Sequence, residues 1–332
     1  MSTAMLVKSH GPARARFRRC AVAVLLTVAV AQAAPAATRS GEAGPGTWNS
    51  DDGRFSIGYQ LAPPPRSAPG RLALVIGCHG NNGDANQLVG PMGEALERAM
   101  LRDQYLIIGL KSRGTGWTQE DAPTVEAFIR YALARWPIDP RRVYGIGYSG
   151  GSFFLNTFVP EHSELCAGAI TWVGGRGEFP VDPAAADRGG LYWINGGQDT
   201  VITAAQWGPG AVAAIARGHP VIYREQRDLG HVSCVDPIMA DATAWLDGLR
   251  NVRVAPDAAD DAFLAGLAGE QGAPTLDRPA TWARLLAIGG RPVLPAIALG
   301  LASAKATTRM NAATCCTRQI VDGATIAALA DV

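Results

Sequence analysis

The sequence predicts an α/β fold with a mainly parallel sheet and helices on both faces. Two observations carry this. Short runs of nearly pure apolar residues recur along the chain, as strands buried on both faces require. Amphipathic stretches of helical spacing alternate with them over short connections, and such alternation folds as parallel strands joined by right-handed crossovers. Composition agrees. Hydrophobic residues make up 48% of the 332 and charged residues 18%, which allows a large core and argues against global disorder. The formal net charge of +1 gives no electrostatic basis for binding nucleic acid or an anionic membrane.

The first 36 residues read as a secretory signal. Lys8, Arg14, Arg16, Arg18 and Arg19 form a basic region, residues 21–30 an apolar core, and Ala31-Gln32-Ala33 a small-residue cleavage pattern. The apolar core is too short to span a bilayer, and Cys20 precedes it, which is the wrong order for lipid attachment. Export is expected, with cleavage near Ala33 or Ala36 and no membrane contact afterwards. Residues 37–47, rich in Ala, Pro and Gly, read as a disordered leader.

The main domain is expected over residues 48–250. Residues 53–61 alternate apolar and polar, the pattern of a half-buried strand stopped by Pro63-Pro64-Pro65. Residues 71–78 and 105–110 are buried strands, with a helix over 86–102 between them. A polar, Gly-rich loop covers 112–121, and a helix over 124–136 is stopped by Pro137. The next strand leads to Ser149, and a helix follows over 152–158. Strands are expected at 167–173, 191–194 and 221–223, and helices at 204–217 and 237–249. The connection between the strands at Val173 and Leu191 is short, so no large lid is expected. Residues 251–332 lose the alternation and read as an Ala-rich helical extension, with short helices at 263–267 and 281–288.

The stretch that organises the chain is Gly147-Tyr148-Ser149-Gly150-Gly151, between a buried strand and a helix. This G-x-S-x-G context holds a serine at the apex of a strained turn, with small neighbours for steric reasons and its hydroxyl beyond the strand end. A serine hydroxyl needs a base to act as a nucleophile. His10 leaves with the signal, His162 and His219 read as surface residues, and His79 reads as structural. His231, in a turn after the last strand, is the candidate base. Asp199, also at a strand's carboxyl end, is the candidate acid that orients the imidazole. The alternative for Asp199 is a turn residue capping the next helix, and Asp228 is the rival acid. The backbone N–H groups of Gly150 and Asn81 are the candidate oxyanion donors, with Gly80 beside Asn81 for close backbone approach. Tyr148, Trp117, Trp172 and Trp207 are the candidate substrate-binding residues, although ordinary packing also explains tryptophans. No metal or cofactor is expected, since the glycines around Ser149 lack the Lys of a phosphate loop.

These motifs resemble a known group. His79-Gly80 after a buried strand, Asp139-Pro140-Arg141-Arg142-Val143-Tyr144 leading into the Ser149 turn, Gly196-Gly197-Gln198-Asp199 and Gly230-His231 look like the secreted polyhydroxybutyrate depolymerase and feruloyl esterase group of α/β-hydrolases. The resemblance covers about residues 70–250. It implies the α/β-hydrolase fold and a triad of Ser149, Asp199 and His231. It also implies an oxyanion hole at Asn81 and Gly150, and a small-molecule or polymeric ester as substrate. Three positions depart from the group. Tyr148 and Gly150 flank the serine where Leu or Met and Ser, Ala or Asn are usual, and Asn81 stands where many members have Cys. The same triad would also suit an amide or peptide hydrolase, and the fold alone would suit a non-catalytic binding protein. Among the cysteines, Cys20 leaves with the signal, Cys78 reads as a small buried hydrophobe, and Cys166 and Cys234 are a candidate pair. The adjacent Cys315 and Cys316 are poorly placed to pair with each other.

Overall fold

The computed structural model describes residues 43–66, 70–236, 238–268 and 275–318. The signal-like segment with His10 and Cys20, residues 37–42 of the expected leader and Pro237 lie outside them. Eight strands form one sheet: β1 Gly44–Asn49, β2 Ser56–Ala62, β3 Leu72–Cys78, β4 Tyr105–Lys111, β5 Ile138–Tyr148, β6 Gly168–Trp172, β7 Gly190–Gly196 and β8 Val221–Gln226. Their spatial order is β1-β2-β4-β3-β5-β6-β7-β8. The pairs β1–β2 and β2–β4 are antiparallel and all others parallel.

Helices α1 Val89–Arg98, α2 Ala122–Arg135, α3 Gly150–Glu161, α4 Ala204–Ala216 and α5 Ile238–Gly248 cover both faces. Strand alternation divides the core accordingly. Leu74, Ile76, Ala169, Leu191 and Trp193 join Phe128 of α2, Phe154 and Phe158 of α3, and Ala211 of α4. Val75, Ile107, Ile146, Ile170 and Ile194 join Met92 of α1 and Leu246 of α5 on the other face. Apolar residues on both sides are why β3 and β4 read as continuous hydrophobic runs.

The expected disordered leader is corrected at its end. Residues 44–47 belong to β1, which pairs with β2 and sets Trp48 against Phe128 and Tyr131 at centroid distances of 5.7 and 5.5 Å. An edge strand tolerates Pro45 because one side of its backbone pairs with nothing, so the Pro- and Gly-rich composition concealed it. The connection from β6 to β7 carries no α-helix. Instead it folds against the sheet through Phe179, buried beside Trp193 and His219.

The extension forms four helices among the described residues: α6 Ala258–Ala268, α7 Pro279–Ile288, α8 Leu294–Leu301 and α9 Ala306–Arg318. Leu267, Trp282, Leu285, Ile297 and Ala312 give it a core of its own. Among the described residues no helix is long and apolar enough to cross a membrane.

Candidate active site

Two neighbouring strands deliver the candidate nucleophile turn and the candidate oxyanion loop. β3 lies between β4 and β5, so the chain reverses its direction of winding there, and Cys78 pairs with Gly147 at the carboxyl ends. Such a switch point opens a crevice beyond the strand ends. Residues 79–83 leave β3 on one side of it and Ser149 leaves β5 on the other.

Ser149 has φ 50° and ψ −115°, a conformation that costs a non-glycine residue about 1–3 kcal/mol. Its neighbours make the turn feasible. A Cβ on Gly151 would overlap the carbonyl oxygen of Cys78, and one on Gly147 would lie 2.8 Å from the Gly151 oxygen. The turn is pinned to β6: the Ser149 N–H and the Ser152 hydroxyl both donate to the Trp172 carbonyl, at 2.9 and 2.7 Å. α3 then starts at Gly150, with its N-terminal positive charge beside the hydroxyl.

The other two side chains come from the ends of β7 and β8. His231 Nδ1 lies 2.8 Å from Asp199 Oδ2, and His231 Nε2 lies 3.1 Å from Ser149 Oγ. An ionised carboxylate only accepts, so Nδ1 carries the proton and Nε2 is left to accept from the serine. Asp199 is buried, which opposes its ionisation. Hydrogen bonds from the N–H of Ile202, from His231 and from the N–H of Val201 outweigh burial and hold its pKa below the ordinary carboxylate value. One carboxylate oxygen thus closes the local turn and the other meets the imidazole, while the cap of α4 is Thr203 and not Asp199. Asp228 is exposed, and Asp199 is the carboxylate that meets the ring.

The loop after β3 is built around His79. The Ser112 N–H donates to its Nε2 at 3.1 Å, which leaves the proton on Nδ1, donated to the Gly80 carbonyl at 2.6 Å. Burial pushes its pKa below the usual imidazole value. A neutral, doubly bonded ring has a structural part here. Gln87 Oε1 accepts from the Gly80 N–H at 2.8 Å. The N–H groups of Asn81 and Gly150 have no protein acceptor among the described residues. The Asn81 carboxamide lies across Gly150 and Gly116, where a Cβ on either glycine would overlap its oxygen.

No family model matches the chain. An acetylxylan esterase of Coprinopsis cinerea is 24% identical over 140 residues. The match covers 36% of this chain and 37% of that protein, so the chain spans little more than a third of the curated relative's length. A carboxylesterase of Bacillus cereus superposes on 57% of this chain and 93% of its own, at 15% identity and a TM-score of 0.47. A thermostable esterase superposes over 62% of each chain, with 20% identity and a TM-score of 0.50. The chain has the α/β-hydrolase fold.

Within this α/β-hydrolase frame, two of the expected substrate-binding tryptophans are corrected. Trp172 is fully buried among the core residues facing α1 and α5, because alternation along β6 turns its side chain away from the crevice. Its contribution to the turn is its carbonyl. Trp117 is buried beneath the oxyanion loop, stacked on Phe154 at 5.1 Å and donating to the His79 carbonyl at 3.1 Å. Trp207 is half-buried, packed on Gly175 and edge-on to Phe153 at 4.9 Å, one turn into the nucleophile helix. Tyr148 is half-buried against His231.

The remaining histidines also differ from expectation. His219 is buried, edge-on to Phe179 and 3.1 Å from the Pro180 carbonyl. His162 stacks on Phe158 and stands 3.7 and 3.6 Å from Glu126 and Glu164. Cys78 is buried, as its strand position implies. Cys166 and Cys234 are free thiols in the hydrophobic clusters on opposite faces of the sheet, so they do not form the candidate pair. Sequence reasoning gave Gln87 and Ser112 no part in the site. Neither carries a motif, and only the folded loop shows what they hold.

Proposed function

We propose that this protein is an exported serine hydrolase that cleaves carboxylic esters through an acyl-enzyme. The observation that carries the reading is the unbroken chain from Asp199 through His231 to Ser149, with bonds of 2.8 and 3.1 Å at the carboxyl edge of the sheet. His231 Nε2 takes the hydroxyl proton as Ser149 Oγ attacks the ester carbonyl carbon. The carbonyl oxygen becomes negative and accepts from the N–H groups of Gly150 and Asn81, each contributing about 3 kcal/mol, roughly a hundredfold in rate. The imidazolium, stabilised by Asp199, returns its proton to the departing alcohol. A water molecule then repeats the sequence on the acyl-enzyme and frees Ser149.

The absence of a lid over the described site and the 22% exposure of the His231 side chain support an open approach that admits bulky or polymeric esters. Polyesters and aromatic esters are the substrate classes proposed from the motif resemblance, with Tyr148 against His231 and Trp207 against Phe153 of the following helix. The likeness to an acetylxylan esterase adds small acyl esters to the panel and favours an ester over an amide. The basic and apolar pattern of residues 1–36 supports export.

A fluorophosphonate should attach to Ser149 in the folded protein, located by mass spectrometry of the peptide that carries it. Absence of an adduct would sink the reading. Matched ester and amide substrates of graded acyl size then separate an esterase from an amide or peptide hydrolase. Recovery of exported protein that begins after Ala33 or Ala36 tests the signal.

A further inference from the structure

We infer that Tyr148 is a positioning residue that fastens the base loop and the oxyanion loop to the nucleophile turn. What those loops do rests on the reading above; the contacts themselves do not depend on it. Tyr148 ends β5, directly before Ser149, so its backbone is part of the strained turn. Its hydroxyl donates to the His231 carbonyl at 3.0 Å. Its ring lies 5.3 Å from the imidazole, tilted by 48°. The same ring covers Gly80, where a Cβ would stand 2.8 Å from Cδ1 and 3.1 Å from Cε1. One side chain therefore touches the base loop and the oxyanion loop, while its main chain carries the nucleophile.

Apart from the Nε2 contact with Ser149 Oγ at 3.1 Å, the supports of His231 come from a single direction. Asp199 holds Nδ1, and the Gln198 N–H donates to the Leu229 carbonyl at 2.9 Å. Both belong to the end of β7. With the Asp199 bond alone the imidazole could pivot about the carboxylate, and both the Ser149 contact and Tyr148 oppose this from the β5 side. The Tyr148 bond fixes the main chain of residue 231 from the β5 side, and ring contact limits the pivot. Burial, with a smaller contribution from the Asp199 charge, raises the phenol pKa and keeps its proton available for donation.

On the oxyanion side, Gly80 is not among the glycines with positive φ. The Tyr148 ring, and not an unusual backbone conformation, is what requires a glycine there. The height at which the ring seats this loop sets where the Asn81 N–H points.

The test compares Tyr148→Phe, which keeps the ring and deletes the hydroxyl, with Tyr148→Ala, Gly80→Ala and the Gly80→Ala/Tyr148→Ala pair. The readouts are the rate of Ser149 phosphonylation, kcat and KM on a soluble p-nitrophenyl ester, the pH profile of kcat/KM, and the thermal midpoint. Tyr148→Phe should slow phosphonylation and kcat about tenfold, leave KM within about twofold and move the acid limb of the pH profile; Tyr148→Ala should cost about a hundredfold. Gly80→Ala should slow the enzyme when the ring is present and add nothing once Tyr148 is Ala.

A Tyr148→Phe protein with the wild-type phosphonylation rate and pH profile overturns the inference, whatever its thermal midpoint. Independent, multiplying effects of Gly80 and Tyr148 overturn the oxyanion half. If Tyr148→Ala does not fold, Tyr148→Phe decides. Wild-type protein left unlabelled at Ser149 removes the hydrolase reading and this inference with it, whereas labelled wild type with an indifferent Tyr148→Phe removes the inference alone.

Discussion

The two ends of strand β5 are opposite in character. Arg141 stands near its start and Ser149 just past its finish, about 25 Å apart at the usual rise per residue. At the Arg141 end, guanidinium donors meet the carbonyls that a helix leaves unpaired at its C-terminus. Arg141 donates to the Gly289 carbonyl at 3.0 Å. Arg250 donates to the carbonyls of Asp247, Leu249, Leu286 and Ala287. These bonds seat helix α7, and the extension with it, against the amino-terminal edge of the sheet. At the Ser149 end the backbone is strained, and the Gly150 and Asn81 donors have no protein acceptor among the described residues. Guanidinium–carbonyl bonds hold the extension at one end, although Arg141 Nε and Arg142 Nε have no partner among the described residues; strained backbone and free N–H donors are what the proposed chemistry requires at the other. The difference teaches that the proposed activity and the anchoring of the extension lie at opposite edges, so each should be breakable separately.

The largest effect is expected from Ser149→Ala. It should lower ester hydrolysis by about 10⁴-fold or more while the thermal midpoint stays where it was. Asp199→Asn should come next, at about 10⁴-fold in kcat, because the imidazole is then held in the wrong tautomer. This substitution also tests pH dependence. The folded pKa of Asp199 is depressed, so its charge stabilises the fold fully above the unfolded carboxylate value of about 3.9. That contribution is lost as pH falls through the lower folded value. Urea midpoints of wild type and the Asn variant should differ at neutral pH and converge at the acid end.

Arg250→Ala tests the other edge. Its carbonyl partners lose their donors, so unfolding should become easier by about 2–4 kcal/mol in urea titration, with kcat unchanged. A parallel fall in kcat would show that the edges are coupled. Gly150→Ala should slow turnover about tenfold without unfolding the protein, because the new methyl displaces the Asn81 carboxamide from beside the oxyanion hole. Adding Asn81→Ala should restore part of the rate. The smallest effect on stability is expected from Ser149→Gly, which should relieve strain and raise stability by about 1 kcal/mol, measured by calorimetry.

Legibility followed locality. Strands β3 and β4 were readable because burial on both faces leaves an uninterrupted apolar run. The Ser149 turn was readable because overlap with neighbouring backbone forces glycines at fixed offsets. β1 was not readable, since an edge strand needs only a partner and carries no strong pattern of its own. Trp172 and Trp117 were misread because a tryptophan looks the same in a core as at a binding surface. His219 looked like a surface residue until the β6–β7 connection covered it. The departures at Asn81 and Gly150 looked independent in the sequence. In the fold they are one feature, since the carboxamide occupies the space a side chain on residue 150 would need.

By itself the sequence determined the alternation of strand and helix, the strained Ser149 turn, and a candidate base and acid each following a later strand. Those are consequences of local periodicity and short-range sterics, which travel with the chain. Only the tertiary structure decided that Asp199 Oδ2, His231 and Ser149 Oγ meet at bonding distance, that Tyr148 spans the two loops, and that Arg141 and Arg250 seat the extension. Each of those contacts joins residues far apart in sequence. Their geometry is set by the order and register of the strands between them, which no local pattern encodes.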